Sequence, residues 1–495
     1  MSALLIVSLA IIVYLSIIML LHRKKLLEKY KLSLSGPFLL WRTERGRNFI
    51  DRVAKRKFWK HFGSFALAIS TVVGVVTFFV LIWVASFVVR IPPKEAPTPQ
   101  MLIGLPGINP VIPLGYGIVA LIIAIVVHEF SHGILARIAK VKLKSLGLLF
   151  FIIPLGAFVE PDEEELKKVA KIKRCRVFAA GPAMNILVAF VCACIFSFVF
   201  MSAVTPVADG IFVTDLVKGS PAEIAIPVGA IITKLNDSET KSFEDFFSAM
   251  AGTKANQTVN ITFYYQGNFI NKNITLADSG DGRGFLGIEF SDPKVIQTLL
   301  NRPFYKVGSP QEFIGRGIYY VSLPFQALKG RSPICEPWNS VYTIRGPLSS
   351  LPPWLFWVLT NLFYWIFWLN LALGMSNALP AVPLDGGYIL RDFADLLIIK
   401  RKYTIAFIPA ILSALFLIIF ILIPLLSSFG LILLTLWLVA ISAISITIAR
   451  ELKLGFGSAE LSIEDRDAIV KPISYALSII ILFLILWPVI GPMIW

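Results

Sequence analysis

The sequence predicts a polytopic α-helical membrane protein of about eight transmembrane helices, with a water-soluble α+β domain inserted between its core helices. Three observations carry this expectation. Of 495 residues, 56% are hydrophobic and 16% charged, and the mean hydropathy is +0.76, outside the range of ordinary soluble domains. Apolar runs long enough to cross a bilayer recur along the chain, at 2–21, 63–89, 116–138, 177–204, 354–379, 403–426, 429–448 and 473–494. Between the fourth and fifth runs the hydropathy falls, and residues 205–352 carry 13 basic and 13 acidic side chains.

The first run has no basic region before it, is longer than a signal-peptide core and lacks an A-x-A-like site, so it is expected to be a retained anchor. Residues 22–62 follow, with 13 Lys/Arg against 3 Asp/Glu. Trp41, Phe49, Phe58 and Trp59 alternate there with charges, so part of the stretch is expected to lie flat in the headgroup region. Residues 146–159 are apolar but too short to cross as a helix, and Pro154 and Gly156 interrupt them. A re-entrant or strand-like hairpin is expected, which membrane depth tolerates only where protein or a water-filled cavity satisfies the backbone.

Charge orients the chain. Placing 22–62, 137–176 and 391–402 in the cytoplasm gives excesses of +10, +5 and +2 there and leaves the neutral insert outside. Every span then alternates, and both termini are extracytoplasmic. The net charge of +15 is thereby explained by topology, and nucleic acid is not expected as a partner. Four N-x-S/T sequons, at Asn236, Asn256, Asn260 and Asn273, all fall in the insert, in agreement with an external location. The four cysteines show no metal-type spacing, and Cys335 is a lone thiol of the insert.

The chemistry centres on His128-Glu129-Phe130-Ser131-His132, inside the third run. Residues four apart share a helix face, so both imidazoles can hold one zinc ion with Glu129 beside them as general base. Ionisable groups in a membrane helix cost about 2.5–3.5 kcal/mol each at its centre, and a metal supplies a reason for three of them in five residues. Catalytic zinc takes three protein ligands and keeps one position open. The best third ligand is Asp385, in Asn377-Ala-Leu-Pro-Ala-Val-Pro-Leu-Asp385-Gly386-Gly387. There Pro380 and Pro383 interrupt the helix, and the Gly pair permits unusual backbone.

An intramembrane H-E-x-x-H followed by N-x-x-P-x-x-P-L-D-G-G resembles the site-2 protease family of intramembrane zinc metalloproteases. Gly181-Pro182-Ala183-Met184-Asn185 is similar to the family's G-P-x-x-N element. The resemblance covers roughly residues 112–204 and 353–398. It implies His128, His132 and Asp385 as ligands of one zinc ion per chain, Glu129 as general base, and Asn185 and Asn377 as substrate or oxyanion contacts. Helix packing is the competing reading for both asparagines. The family cleaves transmembrane segments of other membrane proteins, with the site nearer the cytoplasmic face, in line with the basic stretch that follows His132.

The insert resembles a PDZ domain, which several members of that family carry. Residues 210–213 read as a strand, 219–223 open a short helix, 228–236 turn into a strand, 242–247 open a helix capped by Ser242, and 259–265 and 269–276 form a hairpin. Ala230 departs from the Asp that such domains often carry. The module implies either a peptide ligand added to a sheet edge or a filter that excludes bulky substrates.

The expected organisation is therefore N-terminal helices with a basic loop (1–111), the first part of a protease core (112–204), an extracytoplasmic PDZ-like domain (205–295), a connector (296–352), the second part of the core (353–402) and three C-terminal helices (403–495). The expected function is an intramembrane zinc endopeptidase in the cell membrane, acting on transmembrane protein substrates. Zinc would lower the pKa of its water toward about 7, and Glu129 would take the proton and pass it to the leaving amine. Two rivals stand beside it. A metal transporter would need polar residues at several depths, which the last three spans lack. A catalytically silent adaptor would bind clients through the PDZ-like domain but has no need of Glu129.

Overall fold

The computed structural model describes residues 3–400 and 463–494, apart from 25, 30–31, 36–37, 44–45, 89, 152 and 328–337. Cys335 and the expected spans at 403–426 and 429–448 lie outside the described residues. Among those residues, five helices are long and apolar enough to cross a membrane: Lys57–Val88, Leu114–Ile138, Lys171–Ala203, Pro353–Ala378 and Val470–Met493. Each falls on an expected run, and the chain is a helical integral membrane protein. The first run is also helical, α1 (Ala3–Arg23), followed by a short α2 (Leu26–Lys29).

The chain divides into two compact units. The first comprises Met1–Ile103, Val119–Val188 and Leu369–Trp495. Its helices are α3 (Arg47–Ala54), α4 (Lys57–Val88), most of α5 (Leu114–Ile138), α6 (Glu163–Lys168), most of α7 (Lys171–Cys194), the end of α12 (Pro353–Ala378), α13 (Asp385–Lys400) and α14 (Ile463–Ile494). The unit also holds a four-stranded antiparallel sheet in the order β1 (Leu32–Ser35), β2 (Phe38–Thr43), β3 (Leu143–Phe151), β4 (Ile153–Pro161).

β3 and β4 are the expected hairpin, with Leu146 opposite Val159 and Leu148 opposite Ala157. The stretch 22–62 adds strands that the sequence does not announce. There β1 and β2 pair antiparallel, and β2 in turn pairs with β3, Trp41 opposite Leu148. The physical reason is backbone accounting. An apolar strand edge without water must find partners, and β2 supplies them on the β3 side. Gly147 permits this close approach, since a Cβ there would lie 2.2 Å from Trp41 O and 2.4 Å from Phe158 Cζ. β4 is left as the outer strand. Next along the chain, α3 buries Ile50 in a core with Phe62, Leu135, Leu146, Val159 and Ala180, and the Phe49 ring meets Phe130 edge-on.

The second unit comprises Gly104–Ile118 and Ala189–Trp368. Short pairing of β5 (Val204–Pro206) with β14 (Tyr342–Ile344) closes its chain ends. Its main sheet runs β10 (Asn268–Thr275), β9 (Thr258–Tyr265), β7 (Ile231–Leu235), β6 (Ile211–Leu216), β13 (Ile288–Ser291), with β8 (Ser238–Glu239) on β7. A two-stranded ladder, β11 (Ala277–Asp278) and β12 (Gly284–Phe285), flanks it. Between the strands lie α8 (Pro221–Ala225) and α9 (Phe243–Ala251). Ser242 and Asp245 make a reciprocal capping box on α9, an arrangement worth about 1 kcal/mol. Alternation puts Val259, Ile261 and Phe263 of β9 into a core with Ile211, Val213, Ile232 and Phe246. Residues 296–352, which the sequence leaves unplaced, continue α10 (Pro293–Asn301) and form α11 (Pro310–Ala327) and β14. Within this unit α11 meets the α7 continuation and α12 through Tyr320 Oη and Ser197 Oγ at 2.9 Å and Tyr364 Oη donating to Tyr320 O at 2.7 Å.

Candidate metal centre

Three side chains from two distant stretches converge in the first unit. α5 presents His128 and His132 one turn apart, with Nε2 atoms 3.1 Å from each other. The turn after α12 brings Asp385, first residue of α13, so that its Oδ2 lies 3.1 Å from His128 Nε2 and 3.2 Å from His132 Nε2. His128 and His132 are almost completely enclosed, and Asp385 is 15% exposed.

The surroundings fit a metal ion. Metal–ligand bonds of about 2.0–2.2 Å in a tetrahedron put ligands roughly 3.3–3.5 Å apart, close to the separations seen. His132 Nδ1 donates to Val177 O at 2.7 Å, so in the neutral ring that a metal requires the lone pair belongs to Nε2, which faces the cluster. His128 Nδ1 is buried with no hydrogen-bond partner among the described residues, so the polar contacts of that ring run through Nε2. The backbone of α7 closes the cradle at Gly181, where a Cβ would lie 2.4 Å from His132 Nε2 and 2.6 Å from His128 Nε2. The first glycine of Gly181-Pro182-Ala183-Met184-Asn185 is thus required by the imidazoles, a role the sequence reading left unassigned.

The remaining candidates divide. Glu129 is half-buried, and its Oε2 accepts from the Val159 N–H of β4 at 3.1 Å. Asn185, one turn beyond Gly181 on α7, is fully buried, and neither amide atom has a partner among the described residues. Asn377 is half-buried, and its Nδ2 donates to Leu373 O of its own helix at 3.1 Å.

Close packing holds the Asp385 turn. A Cβ on Gly386 would lie 2.1 Å from Ala378 O, and one on Gly387 would lie 2.5 Å from Ala381 C, so the turn folds directly onto the start of α13. Farther along, Arg174 of α7 forks onto Asp392 of α13, with Nε–Oδ2 at 2.6 Å, and Lys171 pairs with Asp395. These ion pairs tie the helix bearing Asp385 to the helix bearing Gly181.

A helical membrane protein that gathers two imidazoles and a carboxylate within reach of one ion has the donor set of a membrane metalloprotein. The model of peptidase family M50 matches residues 116–422, more than half of the chain, and the chain belongs to that family, the site-2 proteases. The chain is 27% identical to an uncharacterised protein of Methanocaldococcus jannaschii, over 76% of this chain and 83% of that one. It is 26% identical to a candidate zinc metalloprotease of Clostridium perfringens, over 60% and 87%. A similar candidate of Clostridium acetobutylicum is 24% identical, over 56% and 80%. Among solved structures, the PDZ domain of an SdrC-like protein from Listeria monocytogenes aligns at 23% identity, covering 20% of this chain and 99% of that domain, with a TM-score of 0.16.

Proposed function

We propose that the chain is an intramembrane zinc endopeptidase that cuts transmembrane protein substrates within or near their membrane segments. The observation that carries this reading is the meeting of His128, His132 and Asp385 donors beside Glu129 in a helical membrane unit. Zinc held by His128 Nε2, His132 Nε2 and Asp385 Oδ2 would supply Lewis acidity for water and for the scissile carbonyl. Glu129 takes the proton of the attacking water and returns it to the leaving amine. The Val159 N–H keeps that carboxylate oriented until substrate arrives. The unpartnered amide of Asn185 is suited to donate to the substrate carbonyl as negative charge develops. Asn377 has its N–H engaged within α12 and is better suited to shaping the wall.

A helical substrate hides its carbonyls in its own hydrogen bonds, so it must be drawn out before cleavage. β4 offers the means. Val159 directs its N–H away from β3, and Ala157, two residues earlier, shares that orientation. An unwound substrate pairing with this edge would lie next to Glu129.

The wider arrangement belongs to the same reading: about eight spans, both termini and the PDZ-like domain extracytoplasmic, and water reaching the site from the cytoplasm. In the PDZ-like domain β13 is an edge strand whose Phe290 packs against the Phe243, Phe246 and Phe247 rings of α9. A peptide added there, or simple obstruction of bulky substrates, would select what enters.

The test is metal analysis of the purified protein together with cleavage of a test transmembrane segment in detergent or liposomes. The wild type should carry one zinc per chain and cut. Glu129→Gln should keep the metal and lose at least about 100-fold in rate. Asp385→Ala should lose both. Normal cleavage by Glu129→Gln, or full zinc occupancy in Asp385→Ala, refutes the assigned roles.

A further inference from the structure

The turn that carries Asp385 spans residues 379–384, and its amides can be followed one by one. Pro380 and Pro383 have no N–H to satisfy. Leu379 donates to Ser376 O at 3.2 Å, Ala381 to Leu379 O at 2.8 Å and Leu384 to Ala381 O at 2.8 Å. Val382 turns outward and donates to Ser478 Oγ of α14 at 2.9 Å. That hydroxyl in turn donates to Ser474 O at 2.7 Å, so its proton and a lone pair are both engaged.

A serine in an apolar helix ordinarily bonds the carbonyl four residues back and does nothing more. Ser474 does this with Val470 O at 2.9 Å. Ser478 does it too, and also receives a backbone N–H from 96 residues away. The contact is set in apolar surroundings. Leu379, Ala381 and Leu384 of the turn pack with Leu477 and Ile481 of α14 and with Phe78 of α4. One turn before Phe78 on α4, a Cβ at Gly74 would lie 2.3 Å from Ala378 O. Without the hydroxyl, the Val382 N–H would be left among hydrocarbon side chains, where an unmet donor is costly.

We infer that Ser478 is a positioning residue for the metal centre. Its hydroxyl fixes the backbone at Val382, three residues before Asp385, and thereby sets where Asp385 Oδ2 meets the imidazoles. The C-terminal helix is then part of the catalytic unit, although it lies beyond the residues that the family model matches. This inference rests on the metal reading above.

The test compares purified full-length wild type, Ser478→Ala, Ser478→Thr and Ser474→Ala for zinc affinity by chelator competition. The visible spectrum of each cobalt-substituted protein reports ligand geometry without reference to activity. Ser478→Ala should bind zinc roughly tenfold more weakly, the lower end of what loss of an outer-shell partner costs, with an altered cobalt spectrum. Ser478→Thr, which keeps the hydroxyl, should match the wild type, as should Ser474→Ala. Should Ser478→Ala fail to fold, Ser478→Cys takes its place, and a cysteine variant equal to the threonine variant in affinity and spectrum overturns the inference. Wild-type affinity and spectrum in Ser478→Ala overturn the positioning role alone. A wild type that takes up no metal overturns the metal reading and this inference with it.

Discussion

Gly181 shows how a residue without a side chain can define a metal site. Its missing Cβ is the space that the two Nε2 atoms occupy. Gly181→Ala forces the imidazoles or α7 to move, so zinc affinity should fall at least about tenfold in a chelator titration. Because alanine is the better helix former, the helix itself should be no less stable. Unchanged affinity would mean that the cradle is looser than these distances imply. The same logic separates the asparagines. Asn185 has its whole amide buried and, among the described residues, unpartnered, a cost that a protein tolerates where a ligand completes the bonding. Asn377 has its donor engaged within its own helix. Losing the Asn185 amide should therefore slow cleavage more than losing that of Asn377, a comparison that rate measurements on the two alanine variants settle.

At the scale of elements, the hairpin of β3 and β4 is asymmetric. β3 is covered by β2, whereas β4 lies at the sheet margin with its Val159 N–H on Glu129. Proline makes the two sides of β4 distinguishable. Ala157→Pro removes an outward N–H and should impair cleavage severalfold while zinc stays bound. The N–H of Gly156, by alternation, points toward β3 instead, so proline there should disturb the hairpin itself and lower protein yield. Full turnover by Ala157→Pro would exclude capture of substrate by this edge. The second element-scale device is the coupling of α7 to α13 by Arg174–Asp392 and Lys171–Asp395. Removing one partner of the enclosed Arg174–Asp392 pair leaves a charge without compensation, and such losses cost about 3–5 kcal/mol where burial is complete.

For the whole molecule, the charge map makes a topological prediction. Lys168 follows the hairpin in a loop expected to face the cytoplasm, and Lys272 lies in the insert; both are exposed. Single cysteines introduced at these positions, in a background without native cysteines, should label with an impermeant thiol reagent from opposite sides of the membrane. Labelling from the same side would undo the assignment of sides and, with it, access of water to the site from the cytoplasm.

Much of this molecule could be read along the chain. Membrane spans announce themselves because some twenty successive residues must be apolar to cross hydrocarbon. H-E-x-x-H sits on one helix face because the helical repeat places it there, and the strands of the insert follow from alternation and capping. These are local rules, and they were enough for the five described spans, the hairpin and the order of strands in the insert. The pairing of β2 with β3 was not legible, since a short apolar stretch inside a basic loop carries no mark of which strand edge it will satisfy. Nor was the demand for glycine at 181, which arises only when α7 and α5 approach each other. Ser478 reads as one serine among many in an apolar run until Val382, 96 residues away, is found to need an acceptor. Local pattern specifies elements because its physics acts within a few residues. Which distant donors and acceptors must meet is decided only when folding removes water and every buried polar group has to find a partner.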